Sequence, residues 1–68
     1  MVEIKIDTEF IKLDSFLKFT GATTLGSEAK FYIQSGEVQV NDEVEVRRGR
    51  KLYKGDRIKF QEQEYIIV

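Results

Sequence analysis

Residues 27–42 read SEAKFYIQSGEVQVND, from Ser27 to Asp42, and the rest of the chain is organised around this stretch. Ala29, Tyr32 and Ile33 recur at i, i+3 and i+4, which lays one apolar stripe along a helix of about two to three turns. Gly36 follows directly, where a left-handed C-terminal cap favours a residue without Cβ. Val38 and Val40 then alternate with Glu37 and Gln39, the pattern of a half-buried strand. Asn41-Asp42 ends the strand with two side chains that tolerate turn conformations. The second face of the helix carries Ser27, Lys30, Phe31 and Gln34.

Upstream, Leu13, Phe16 and Leu17, with Phe10 one turn earlier, fall at helical spacing, and Asp14 and Lys18 stand four apart as a supporting ion pair. Thr20-Gly21 stops this pattern, so a first helix is expected over about residues 12–19. The link to the second helix is short, which packs the two into a compact corner; Thr24 or Ser27 caps the second one. Before them, Val2, Ile4 and Ile6 alternate with Glu3, Lys5 and Asp7, an edge strand with one apolar face.

Downstream, the hairpin poses a question of register. A two-residue loop at Asn41-Asp42 pairs Val40 with Glu43 and turns Val44 and Val46 away from the core. A three-residue loop from Asn41 to Glu43 pairs Val40 with Val44 and Val38 with Val46, and is the expectation adopted here. The basic run RRGRK comes next, then Leu52-Tyr53, a turn at Lys54-Gly55-Asp56, a strand around Ile58 and Phe60, a turn over residues 61–63 and the β-prone EYIIV.

Composition excludes several chemistries. The 68 residues contain no cysteine and no histidine, so disulfides, Cys/His zinc sites and Ser-His or Cys-His catalytic pairs are out. No cofactor, metal or catalytic constellation is expected. No signal peptide or long apolar run is present, so a cytoplasmic chain off the membrane is expected. A monomer is expected as well. The net charge is −1, but it is unevenly spread. Residues 47–59 hold seven basic side chains against the single acid Asp56, a net +6, which leaves −7 on the remainder. Such a division gives a basic side that steers polyanions. On composition alone, a solvated basic loop is an equally good reading.

Lys12-Leu13-Asp14, then Ser27-Glu28-Ala29-Lys30, then Gly36-x-Val38-x-Val40-Asn41, then Lys51-Leu52 and Gly55-Asp56-x-Ile58, in this order, resemble the αL RNA-binding motif. This is the domain named after bacterial small-subunit ribosomal protein S-four, and the likeness covers about residues 11–60. It is greatest to small free-standing bacterial members, which carry a similar glycine before Glu-Ala-Lys and a similar Arg-Arg-Gly-Arg-Lys run. The resemblance implies an α+β fold, with two short packed helices followed by a small bent antiparallel sheet that an N-terminal strand joins. It implies one RNA-binding domain over residues 1–68. It also implies structured RNA as the partner, ribosomal before transfer RNA, with the ribosome or a subunit as the larger assembly.

Carried over by position, the RNA contacts are Lys12, Lys18, Ser27, Lys30, Arg47, Arg48, Arg50 and Lys51. Two departures from the family pattern weaken the expected affinity. Leu25-Gly26-Ser27 replaces a polar-basic-polar triplet, leaving only the helix N-terminus to meet a phosphate there, and Asp42 replaces the glycine of an Asn-Gly turn. Phe31 is expected to pack beneath the N-terminal segment rather than stack on a base, while Tyr53 fits either a contact with RNA or a place at the edge of the sheet. Asp14 and Glu28 are read as helix-terminus charges and Asn41 as a turn former. The function expected is non-enzymatic binding of structured RNA, in ribosome assembly or quality control. The alternative is a protein-interaction module that offers an exposed EYIIV strand and a basic loop. The basic run is expected to add nothing to stability, since like charges repel.

Overall fold

The apolar stripes of the two helices meet over one face of a sheet. The computed structural model describes residues 1–68. Its elements are β1 (Val2–Ile4), β2 (Ile11–Lys12), α1 (Leu13–Phe19), α2 (Gly26–Gln34), β3 (Val38–Val40), β4 (Glu43–Val44), β5 (Lys51–Leu52), β6 (Arg57–Phe60) and β7 (Gln63–Ile67). Leu13, Phe16 and Leu17 of α1, and Ala29 and Ile33 of α2, are fully buried against Val38, Val40, Ile58, Phe60 and Ile67. Aromatic edges join the layers: Phe16 meets Tyr65 at 5.5 Å and Tyr32 meets Phe60 at 5.1 Å between ring centroids. Phe10 is not part of α1; it precedes β2 and lies tilted against Tyr53 at 6.1 Å.

Gly36 performs the role assigned to it. With φ at +81° it follows the C-cap Ser35 of α2. Its N–H donates to the Ile33 carbonyl at 3.1 Å, and the N–H of Glu37 donates to the Tyr32 carbonyl at 3.2 Å. These are the two bonds that satisfy the last carbonyls of a helix in a Schellman motif. Neither Thr24 nor Ser27 caps the other end of α2, where Leu25 is the N-cap residue.

The main sheet runs β1-β7-β6-β3-β4, and β2 pairs with β5 in a second, two-stranded sheet. β1 lies at an edge as expected, but parallel to β7, so the sheet is mixed rather than wholly antiparallel. Its apolar alternation is only partly used: Ile6 is buried beyond the strand end, whereas Val2 stays exposed. β7, which holds all of EYIIV except Val68, is paired with β1 on one side and β6 on the other. That strand has no free edge, and the interaction module that required one loses its premise.

The hairpin corrects the expected register. Val40 pairs with Glu43 and Gln39 with Val44, so the loop is the two residues Asn41 and Asp42. Both take left-handed φ, 52° and 71°, the type I′ conformation whose twist suits adjoining strands. Asn41 is fastened across the sheet: its Oδ1 accepts from the Arg57 N–H at 2.9 Å and its Nδ2 donates to Asp56 Oδ1 at 3.1 Å. This tie favours the two-residue turn over one fitted to the valines. Val44 and Val46 are consequently exposed, and Glu45 between them is buried.

Candidate nucleic-acid interface

Strand pairing and loop docking gather most of the predicted basic residues at the start of α1. Lys12 and Lys51 are register partners in the β2–β5 pair, both exposed. Their neighbours Ile11 and Leu52 are partners as well, and Leu52 is fully buried. Alternation along each strand therefore turns both lysines to the outer face. The Lys51 ammonium lies 4.8 Å from the centroid of the Phe10 ring, which offers its negative face to a cation.

Residues 45–50 carry no strand or helix, yet main-chain bonds hold them to α1. The N–H of Leu13 donates to the Arg50 carbonyl at 2.9 Å, and the N–H of Asp14 donates to the Arg48 carbonyl at 3.1 Å. The first turn of a helix has N–H groups without intrahelical partners, and the basic loop supplies two of the acceptors. Lys12 is thereby set beside Arg48, Arg50 and Lys51.

The side chains of this loop are not equivalent. Glu45, with its side chain only 7% exposed, accepts from Arg47 Nε at 3.0 Å and from Arg50 Nη1 at 2.9 Å. It also accepts from the Arg47 N–H at 2.9 Å and from Arg47 Nη2 at 3.1 Å. The hydrogen bond from the Arg47 guanidinium, helped by Arg50 and the Arg47 backbone, holds the Glu45 carboxyl at about 2 against the ordinary 4.5, although burial acts the other way. The same pairing pushes Arg47 further up. The basic run is therefore not a set of free, mutually repelling charges. Arg48 alone among its arginines has no carboxylate partner.

Glu45 is the residue that sequence reasoning missed. Its signal lay in the two-residue alternative for the hairpin, which places the position after Val44 on the core side. The N–H of Glu45 indeed donates to the Val38 carbonyl at 3.0 Å, continuing the β3–β4 ladder by one residue.

The remaining predicted contacts lie on the helices. Lys18 is exposed in the last turn of α1, about 9 Å along the axis from Lys12 at 1.5 Å per residue. Ser27 and Lys30 are exposed on α2, with Gln34 on the same side. No hydrogen bond or ion pair joins them to the basic loop. Phe31 does not pack beneath the N-terminal segment: it is 64% exposed, with only an edge-on contact to Tyr32 at 5.5 Å. Phe19 and Leu25 are similarly open, and Tyr53 is half-covered.

At the start of α2, Gly26 leaves open space around the backbone. The negative group that this terminus favours is already present, however. The Glu28 carboxylate accepts from the N–H groups of Thr24 and Leu25 and from the Thr24 hydroxyl, at 2.8–3.1 Å. These bonds, the Thr24 hydroxyl first, lower its pKa. A phosphate approaching Ser27 meets that charge, which reduces the role expected of the helix terminus. Asp42, the other unfavourable charge, is paired with Arg57 at 2.9 Å.

Comparison with known proteins extends the resemblance beyond residues 11–60. The S4 domain profile matches residues 4–68, from the last residue of β1 through all of β7. RlbA of Bacillus subtilis (strain 168), named a probable ribosome maturation protein, is 53% identical over 53 residues, which is 78% of this chain and 75% of RlbA. The solution structure of YbcJ from E. coli, described as revealing an αL motif involved in RNA-binding, aligns with a TM-score of 0.75 at 28% identity. That alignment covers 100% of this chain and 87% of YbcJ. No helix here is long and apolar enough to cross a membrane.

Proposed function

This chain belongs to the S4 domain family, and from that premise we propose that it binds structured RNA without catalysing a reaction, as a factor in ribosome assembly or maturation. Ribosomal RNA is the preferred ligand in this reading, and the cytoplasm its place of action. The observation that carries it is the docking of the basic loop on α1, which groups Lys12, Arg48, Arg50 and Lys51 on a chain whose net charge is −1. A surface formed by chance from an acidic composition has no reason to concentrate its cations at one tied-down position.

The mechanism follows from the residue types. Lysine and arginine neutralise phosphates, and exposed backbone and hydroxyl groups such as Ser27 meet the sugar edge. Few side chains suited to reading base edges stand on this surface: Asn41 is occupied by Arg57 and Asp56. Recognition by A-form shape and 2′-hydroxyls is therefore favoured over sequence readout. Lys18, Ser27 and Lys30 extend the surface along the helices, while Arg47 and Arg50 reach RNA with part of their donors engaged by Glu45. RlbA and YbcJ support the reading through the roles their names state.

The test is binding to folded ribosomal RNA fragments, transfer RNA and duplex DNA of equal charge across a salt series. With about four to six phosphates neutralised, log K should fall with log salt at a slope of about −3 to −5. Folded RNA should bind more tightly than duplex DNA, and co-sedimentation should favour ribosomal subunits over transfer RNA. Affinity indifferent to salt, or equal for RNA and DNA, would overturn the mechanism.

A further inference from the structure

A carboxylate beside an RNA surface ordinarily weakens binding, so the burial of Glu45 among the arginines of the loop requires a reason. Four donors converge on its two oxygens: three from Arg47 and one from Arg50. An ionised carboxylate has about four acceptor positions, so Glu45 is saturated and has none to offer elsewhere. The geometry at Arg47 is specific. Nε and Nη2 are turned to Glu45, which leaves the Nη1 edge of a guanidinium whose side chain is 74% exposed. A planar guanidinium held by one edge presents its opposite edge in a defined direction, as a flexible lysine does not. Arg50, one of whose donors is on the same carboxylate, is also the residue whose carbonyl receives the Leu13 N–H of α1. Glu45 thus connects the end of the hairpin, both arginines and the helix start.

We propose that Glu45 is a positioning residue for RNA recognition: it holds the loop in place and aims the free edge of Arg47 outward, so that its negative charge strengthens binding instead of opposing it. The inference rests on the RNA-binding reading above. It makes a prediction of opposite sign to simple electrostatics. Glu45→Gln adds one unit of positive charge to the protein, and a charge-only account demands tighter binding. A glutamine amide, however, turns two N–H donors toward a site where donors already converge. The loop then loses its fixed form, and ordering it falls to the binding step.

The experiment has a part without RNA and a part with it. In the free protein, the Arg47 Nε–H should be protected from exchange in NMR spectra of the wild type and exchange freely in Glu45→Gln. With folded ribosomal RNA at one fixed salt concentration, Glu45→Gln should bind about threefold to tenfold more weakly, the scale of coupling between contacting residues. Thermal melts establish that the variant is folded at the temperature of measurement. A second pair covers the case in which it is not: Arg47→Lys should lose more affinity than Arg48→Lys, since only the first removes a two-point guanidinium contact with Glu45. Binding by Glu45→Gln as tight as wild type or tighter would overturn the proposal and leave RNA binding intact. So would equal losses for the two lysine variants, or a freely exchanging Arg47 Nε–H in the wild type. A wild-type protein that binds no folded RNA would overturn both readings together.

Discussion

The two helices begin in opposite ways. At α1 the N-cap Lys12 provides no side-chain acceptor, and the first N–H groups donate instead to the carbonyls of Arg48 and Arg50, far along the chain. At α2 the contact is local: Glu28, inside the helix, reaches back to accept from the N–H groups of Thr24 and Leu25, the two residues just before it. The start of α2 is therefore a local device, formed whenever the segment turns helical. The start of α1 is complete only once the loop after β4 has docked. Making a helix start depend on a distant loop also makes the loop depend on the helix, and this holds the basic residues on one surface.

The largest effects should test what the helices share. Leu17→Ala and Ile33→Ala truncate fully buried side chains of α1 and α2, and each should cost about 2–5 kcal/mol. In so small a domain that is a large share of the whole stability. Similar losses in denaturant melts would confine the difference between the helices to their starts. A variant that melts like the wild type would remove its helix from the common core.

Next comes a pair of reversals within the loop. Arg50→Glu sets a second carboxylate against Glu45, so melting temperature and RNA affinity should both fall. Arg48→Glu alters a side chain without an ion-pair partner while keeping the carbonyl that caps α1. Its melt should stay near that of the wild type, with affinity lowered about tenfold or more at low salt. Equal melts for the two variants would mean that the Glu45 pairing does not tie the loop down.

Acid should loosen the loop that completes the start of α1. Glu45 has its folded pKa lowered to about 2 from the ordinary 4.5. Its contribution is therefore fully present above about pH 4.5 and is lost as pH falls toward about 2. Glu45→Gln should be less stable than wild type at neutral pH, with the gap closing over that interval. A constant gap across the titration would assign the loss to packing rather than charge. The smallest effect is expected from Glu28→Ala: a slight fall in melting temperature, with faster amide exchange around Thr24 and Leu25 while Leu13 and Asp14 stay protected. Loss of protection at both places would show that the two helix starts are not independent.

What could be read from residues alone followed the same division between local and distant. Gly36 closes α2 where its sequence placed it, because a left-handed cap involves only the adjacent turn. The inward stripes of both helices hold, because the helical repeat is set by neighbouring residues. Phe31 shows where this ends. An aromatic residue invites burial, but its position on the helix faces away from the core, and the fold brings nothing over it.

The chain by itself determined two helices, their inward faces, their glycine stops, the strands of the later sheet and a basic run, all of which rest on short-range periodicity and backbone conformation. Only the tertiary structure decided the hairpin register, the parallel pairing of β1 with β7 and the use of the basic run. Each is a choice among arrangements that local patterns leave nearly equal, settled by partners far apart in sequence. Asn41 bonds to β6, and the two-residue turn follows; with that turn the alternation of the strand shifts by one, and Glu45 rather than Val44 or Val46 is enclosed. A buried carboxylate needs cations, and Arg47 and Arg50 are within reach. One change of register thus converts what the sequence offers as a loop of repelling charges into one joined to the start of a helix.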